Sequence, residues 1–202
     1  MQIVDHRTSR HDEKLQKIAT VTALLFTQKG YYETTLDEIA QALKMSKGSI
    51  YTYVKSKQDL VFLVLEQIEN TWGQSFETVE KSPKTNTAVD SLKVAVKAYI
   101  SAVDEKQNEY IFLNHVIVSL DQEGRRRLLN STRQVASKFE KIIHRGHDSG
   151  EFNNTNIETI SFVITHLCSD WANNRWFLRK HMNLDGYINF VGEMAVRMLK
   201  AK

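Results

Sequence analysis

Residues 34–60 read TTLDEIAQALKMSKGSIYTYVKSKQDL, and this stretch decides the fold of the N-terminal quarter of the chain. Thr35 is followed three residues later by Glu38, the capping-box spacing in which a hydroxyl and a carboxylate satisfy each other's free helix-start amides. The box opens a short helix with Leu36, Ile39, Ala40 and Leu43 on its inner face. Lys44, Met45 and Ser46 interrupt it, and Ser46 stands where it can cap a second short helix carrying Ile50, Tyr51 and Val54. A helix-turn-helix places its second helix in the major groove of DNA, so that helix must be short, polar outside and tolerant of glycine. Residues 46–54 meet those conditions.

Working outward, Leu15, Ile18, Ala19, Thr22, Leu25 and Phe26 recur at helical spacing before Gly30, a natural left-handed stop. Downstream of Lys55 and Ser56, Leu60, Leu63, Val64, Gln67, Ile68, Thr71 and Trp72 share one face of a helix that runs to Ser82 and Pro83. At 1.5 Å per residue that helix makes about six turns. After a polar loop at 84–87, helical patterns cover 88–106, 108–121 and 124–149. Gly150 closes the last of these, 151–154 turn, and two final helices are expected at 156–180 and 184–199. The expectation is an all-α chain of about nine helices, with a DNA-binding domain at 1–56 and a second domain at 57–202.

Composition agrees. Of 202 residues 42% are hydrophobic, enough for a real core, and one proline with eight glycines leaves few enforced breaks. The net charge of +3 is too small to identify an anionic partner, so the placement of charge matters more than its sum. Residues 44–57 contain Lys44, Lys47, Lys55 and Lys57 and no acid, whereas Glu33, Asp37 and Glu38 stand just upstream and would repel a DNA backbone. A narrow basic face is therefore expected. The lone Cys168 can form no disulfide within the chain, residues 1–14 are polar, and no apolar run approaches the ~20 residues of a membrane span. A cytoplasmic protein without membrane contact is the expectation.

Residues 34–60, together with the preceding LLFTQKGYYETT at 24–35, resemble the helix-turn-helix of the TetR family of transcriptional regulators. The resemblance implies a one-component repressor that binds operator DNA as a homodimer. Carried over by position, it gives Lys47, Ser49 and Thr52 base-contacting roles, with Lys47 the reader of guanine, and lets Gly48 bring the backbone close to the duplex. Ser46 caps this helix, Tyr51 and Tyr53 match phosphate or base-edge aromatics, and Lys57 matches a phosphate-gripping lysine. Thr35, at a helix N-terminus, can hold a further phosphate.

For the body, the resemblance implies a sensor for a small-molecule inducer and a dimer interface built from the last two helices. Ile157, Ile160, Ile164, Leu167 and Trp171 form one apolar stripe, and Tyr187, Val191, Met194 and Met198 a second, as candidates for that interface. Two recognition helices held roughly 34–36 Å apart then meet successive major grooves, so the operator is expected to be near-palindromic. Tyr99, Tyr110, Phe112, His115, Phe139, Phe162 and His166, with His144, are candidates for an apolar pocket with polar fixing points. The sequence GEF at 150–152 and Trp176 resemble members that answer long-chain acyl-CoA, in which case Arg125, Arg126 and Arg127 are candidates for the phosphates.

Other functions find less in the residues. There is no nucleophile with a base and no phosphate loop, so no enzyme and no cofactor are expected. His144, His147 and Asp148 form a fragment of a metal site without a third convincing ligand, and no metal is expected. The alternative from another class is a helical adaptor that binds only protein; the lysine-only stretch argues against it.

Overall fold

The computed structural model describes residues 6–80, 87–153 and 155–200. Among them there are ten α-helices and no strand. A head is built from α1 (His6–Lys29), α2 (Leu36–Ala42) and α3 (Lys47–Ile50) against the start of α4 (Lys57–Glu80). The body adds α5 (Ala88–Glu105), α6 (Gln107–Val116), α7 (Gln122–Asp148), α8 (Ile157–Asn173), α9 (Arg175–Leu178) and α10 (Leu184–Lys200). The chain stop expected at Ser82 and Pro83, and most of the loop after it, lie outside the described residues.

Helix α4 belongs to both parts: it packs on α1 in the head and on α5, α6 and α7 in the body. α1 also packs on α6, where the rings of Phe26 and Phe112 lie 5.0 Å apart. One apolar core therefore continues from Ile18, Ile39 and Ile50 in the head to Leu92, Phe139 and Leu199 in the body. Phe76, Tyr99 and Phe139 fill the body core, with ring centres 5.4–6.2 Å apart.

Three element boundaries differ from expectation. α6 stops at Val116 and a 3-10 turn at Ile117–Ser119 follows, because Asp121 caps the next helix: its Oδ1 accepts the Gly124 amide at 2.7 Å. A carboxylate is stabilised at a helix N-terminus and not at a C-terminus. The single helix expected at 156–180 breaks at Asn174, whose side chain turns back to Asp170 at 2.5 Å. Arg175 leaves the helix line to pair with Asp104 at 3.0 Å and to bond Gln107, at the α5–α6 corner. That break accounts for ten helices in place of about nine. Finally, α1 extends upstream to His6, whereas α4, with 24 residues, has the length expected.

Candidate nucleic-acid interface and ligand cavity

Local bonds fix the head. Thr35 Oγ1 accepts the Glu38 amide at 3.2 Å and Glu38 Oε2 accepts the Thr35 amide at 2.8 Å, closing the capping box. Gly30 has φ +98°, as a left-handed stop requires, and a Cβ there would meet Glu33 Oε2 at 2.5 Å. The turn between α2 and α3 is made by Lys44 at φ +55°, with the Met45 amide returning to the Ala40 carbonyl at 2.9 Å. Ser46 caps α3 by accepting the Ser49 amide at 3.1 Å, and the two hydroxyls lie 2.8 Å apart. Ile50 and Val54 are buried and anchor the recognition segment to the head core.

What this leaves outside is a small polar surface. Lys47, Gly48, Tyr51 and Thr52 are exposed; Ser49 is half-buried and its amide and hydroxyl are engaged in the cap. A Cβ added at Gly48 would meet no atom within 4 Å, so nothing among the described residues excludes a side chain there. Thr52 Oγ1 donates to the Ser49 carbonyl at 2.7 Å. Tyr53 is half-buried and stacks on His11, with ring centres 5.4 Å apart. Thr35 is exposed, but both its hydroxyl and its amide already face the Glu38 carboxylate, so a phosphate there would have to displace an internal anion.

The upstream acids are not bare. Lys47 Nζ donates to Asp37 Oδ2 at 2.7 Å, and that bond holds the lysine above its ordinary pKa. Lys29 Nζ donates to Glu38 Oε1 at 2.8 Å; this bond, with those from Thr35, lowers the Glu38 carboxyl to about 2. Lys57 donates to the Tyr32 carbonyl at 3.1 Å and sits 4.6 Å from the Tyr31 ring centre, and partial burial lowers its pKa. The basic surface is thus set by exchangeable ion pairs as much as by the lysines. Sequence reasoning missed His11 and Tyr31, which it had no local signal to find. It also missed Asp59, whose carboxylate accepts the Lys55 and Ser56 amides at 2.8 and 3.0 Å while Ser56 Oγ accepts the Asp59 amide. The Ser56 to Asp59 spacing was a readable signal.

In the body, a cavity of about 520 Å³ lies between α4, α5, α6, α7 and α8. Leu65, Ile68, Trp72, Leu113, Leu128 and Val135 supply apolar wall, and Asn114, Thr132, His166 and Asp170 supply polar groups. Four expected pocket residues line it: Tyr99, Tyr110, Phe162 and His166. Three do not, which corrects the sequence expectation. Phe112 packs on Phe26 at the seam between head and body, Phe139 is wholly buried in the aromatic core, and His115 points to solvent. His144 is likewise exposed, away from the lining. Arg125, Arg126 and Arg127 do not line the cavity either; Arg127 pairs with Glu66 at 2.7 Å and covers the Phe62 ring.

The apolar stripes of the last two long helices also need correction. Ile160, Ile164, Trp171, Tyr187 and Val191 are buried within the chain, so they have no surface left for a partner. Trp171 Nε1 donates to Asp104 Oδ1 at 2.8 Å and Tyr187 donates to the Leu167 carbonyl at 2.6 Å, fastening α8 to α5 and α10 to α8. Leu167, Met194 and Met198 are half-buried. The apolar groups that remain on the surface of these helices are Phe162 and Val163 on α8 and Phe190, 50% exposed, on α10.

Comparison with known proteins agrees with this architecture. The family model described as "Bacterial regulatory proteins, tetR family" matches residues 18–64, and that described as "Tetracyclin repressor-like, C-terminal domain" matches residues 85–198. The HTH-type transcriptional regulator HbdR of Aromatoleum sp. (strain CIB) is 27% identical over 177 residues, 88% of this chain and 76% of the relative. A crystal structure of a tetR-family regulatory protein from Rhodococcus RHA1 superposes with a TM-score of 0.81 at 25% identity, covering 93% of this chain and 97% of the other. FadR from Bacillus subtilis, solved in complex with stearoyl-CoA, shares the fold with a TM-score of 0.75 at 18% identity, over 90% and 97% of the two chains. These relatives are transcriptional regulators, and neither an enzyme nor a protein-only adaptor is supported. Among the described residues no helix is long and apolar enough to cross a membrane.

Proposed function

The chain belongs to the TetR family of DNA-binding transcriptional regulators, and from that premise we propose that it is a cytoplasmic homodimeric repressor, released from a near-palindromic operator by a hydrophobic or amphipathic inducer. Residues 1–56 form the DNA-binding domain and residues 57–202 the sensing and dimerisation domain. The observation that carries the DNA reading is the surface of α3: Gly48 opens on empty space, with Lys47, Tyr51 and Thr52 exposed around it. Lys47 exchanges Asp37 for a base edge or phosphate, Tyr51 and Tyr53 meet the sugar-phosphate backbone, and Lys57 and Thr35 flank the contact. Ser46 and Ser49 act by holding the helix start in place.

Two copies associate through the outer faces of α8 and α10, where Phe162, Val163 and Phe190 supply apolar area and the half-buried Leu167, Met194 and Met198 border it. The inducer occupies the cavity beside Tyr99, Tyr110, Phe162 and His166. FadR's stearoyl-CoA supports an acyl ligand by analogy of fold. Leu129 lies on the cavity rim, and Arg125, Arg126 and Arg133 stand three or four residues from it on the outer face of α7, where they can meet a ligand's anionic head. Coupling runs through Gln58 at the start of α4, whose amide donates to both oxygens of Asp121, the cap of α7, at 3.2 and 3.3 Å. A ligand that moves α7 thereby biases the head; such couplings amount to about 1–3 kcal/mol.

The reading is tested by selecting bound fragments from the source genome with the purified protein and footprinting the winners. A protected two-fold-symmetric site supports it. Retention of all fragments equally, or of none, contradicts it.

A further inference from the structure

Resting on the DNA reading of α3 and deepening it, we infer that the start of α1 is part of the nucleic-acid interface, with His11 donating a ring N–H to a backbone phosphate beside those met by Tyr51 and Tyr53. His11 and Ile18 stand seven residues apart, two turns along one side of α1 and about 10 Å by helical rise. Ile18 is buried in the head core whereas His11 is exposed, because α1 outruns that core and its start projects over the turn after α3. There the imidazole stacks on Tyr53, with ring centres 5.4 Å apart and planes 23° from parallel. Tyr53 is half-buried and packs on the core, so the outer ring of the pair is that of His11.

Chemistry and charge fit a phosphate. The stack occupies a face of the imidazole and leaves its edge, which carries the N–H, free to donate; among the described residues neither ring nitrogen has a hydrogen-bond or ion partner. Tyr53 directly follows Tyr51 and Thr52, both exposed on the recognition surface, so the imidazole edge continues that surface. Lys14, one turn on from His11, is exposed, and no acid stands in the first turn of α1. Asp12 and Glu13 are exposed but lie about 100° and 200° round the helix from His11. A ring already pinned on a tyrosine loses little freedom when it takes up a phosphate, unlike a long lysine chain. Contacts of this kind fix the register of the protein on the duplex and read no base.

The test uses the genomic fragment that the wild type retains, as a labelled duplex, and compares His11→Ala, His11→Phe and Lys47→Ala by fluorescence anisotropy, with melting temperature as control. His11→Phe keeps a ring on Tyr53 and deletes the N–H. Both His11 variants should bind roughly 10-fold more weakly, from a lost hydrogen bond of roughly 3-fold in each head. Methylphosphonates placed one at a time along the duplex should find a position where neutralising the phosphate weakens the wild type and not His11→Phe. Wild-type affinity in His11→Phe overturns the inference, because packing alone then explains the stack, and so does a duplex with no such position. A lost His11 effect beside an intact Lys47→Ala effect brings down this inference alone, whereas a wild type that retains no fragment brings down the DNA reading and the inference with it.

Discussion

Replacing Asp37 by asparagine should tighten DNA binding. In the free protein Lys47 Nζ lies 2.7 Å from Asp37 Oδ2, with 65% and 56% of the two side chains exposed. A phosphate taken up by that lysine would then lie about 5 Å from the carboxylate, given ordinary contact distances on either side of the nitrogen. In water two like charges at that separation, screened at about 0.1 M salt, disfavour the complex by about twofold. Two heads in a dimer compound this to about fivefold. The loss of Lys47 is the mirror image: Lys47→Ala should lower the slope of log K against log salt by about 0.9 per head. Asp37→Asn in the Lys47→Ala background should then gain less than it does alone, because the exchange of partners no longer occurs. Fluorescence anisotropy on a labelled operator across a salt series reads all four proteins. Weaker binding by Asp37→Asn would refute the reasoning, since Asp37 would then be positioning the lysine for DNA and not withholding it.

Further expectations concern stability, assembly and coupling. Ile50→Ala, at a wholly buried site in α3, should cost about 2–5 kcal/mol in urea denaturation and unseat the recognition helix. Glu38 has a folded-state pKa of about 2 against an ordinary 4.5, so its stabilisation is present above 4.5 and lost as pH falls toward 2. Melting temperature against pH should therefore fall less steeply in that window for Glu38→Gln than for the wild type. Phe190→Asp, on the exposed face of α10, should shift the protein to monomer in light scattering while leaving its helix content intact. Asp121→Ala removes both the cap of α7 and the bonds from Gln58, so it should leave ligand binding in place while reducing ligand-driven release from DNA.

Much of the head is legible in the sequence because its bonds are local. Thr35 with Glu38, and Ser46 with Ser49, act across three residues, so pattern and structure coincide. The left-handed Lys44 is not legible, since nothing about a lysine announces that conformation. In the body the amphipathic stripes identify faces that are buried but not what buries them. α8 carries apolar groups on two sides, Ile160, Ile164 and Trp171 inward and Phe162 and Val163 outward, and only packing against α5, α7 and α10 tells them apart. The break before α9 depends on Arg175 reaching Asp104 on a distant helix. The cavity is a space between five helices, so residue type could find Tyr99 and Tyr110 but could not separate them from the packed Phe139.

The central claim is that the outer face of α3 is shaped for DNA, and Gly48 tests it most directly. A Cβ there meets no atom within 4 Å in the free protein and Gly48 is exposed, so Gly48→Val is expected to leave the head core untouched. Operator affinity of Gly48→Val and wild type, measured side by side with melting temperature as control, should fall by an order of magnitude or more while the melting temperature stays close to that of the wild type. Unchanged affinity in a folded Gly48→Val protein would contradict the account, because the recognition helix would then not approach the duplex at this face.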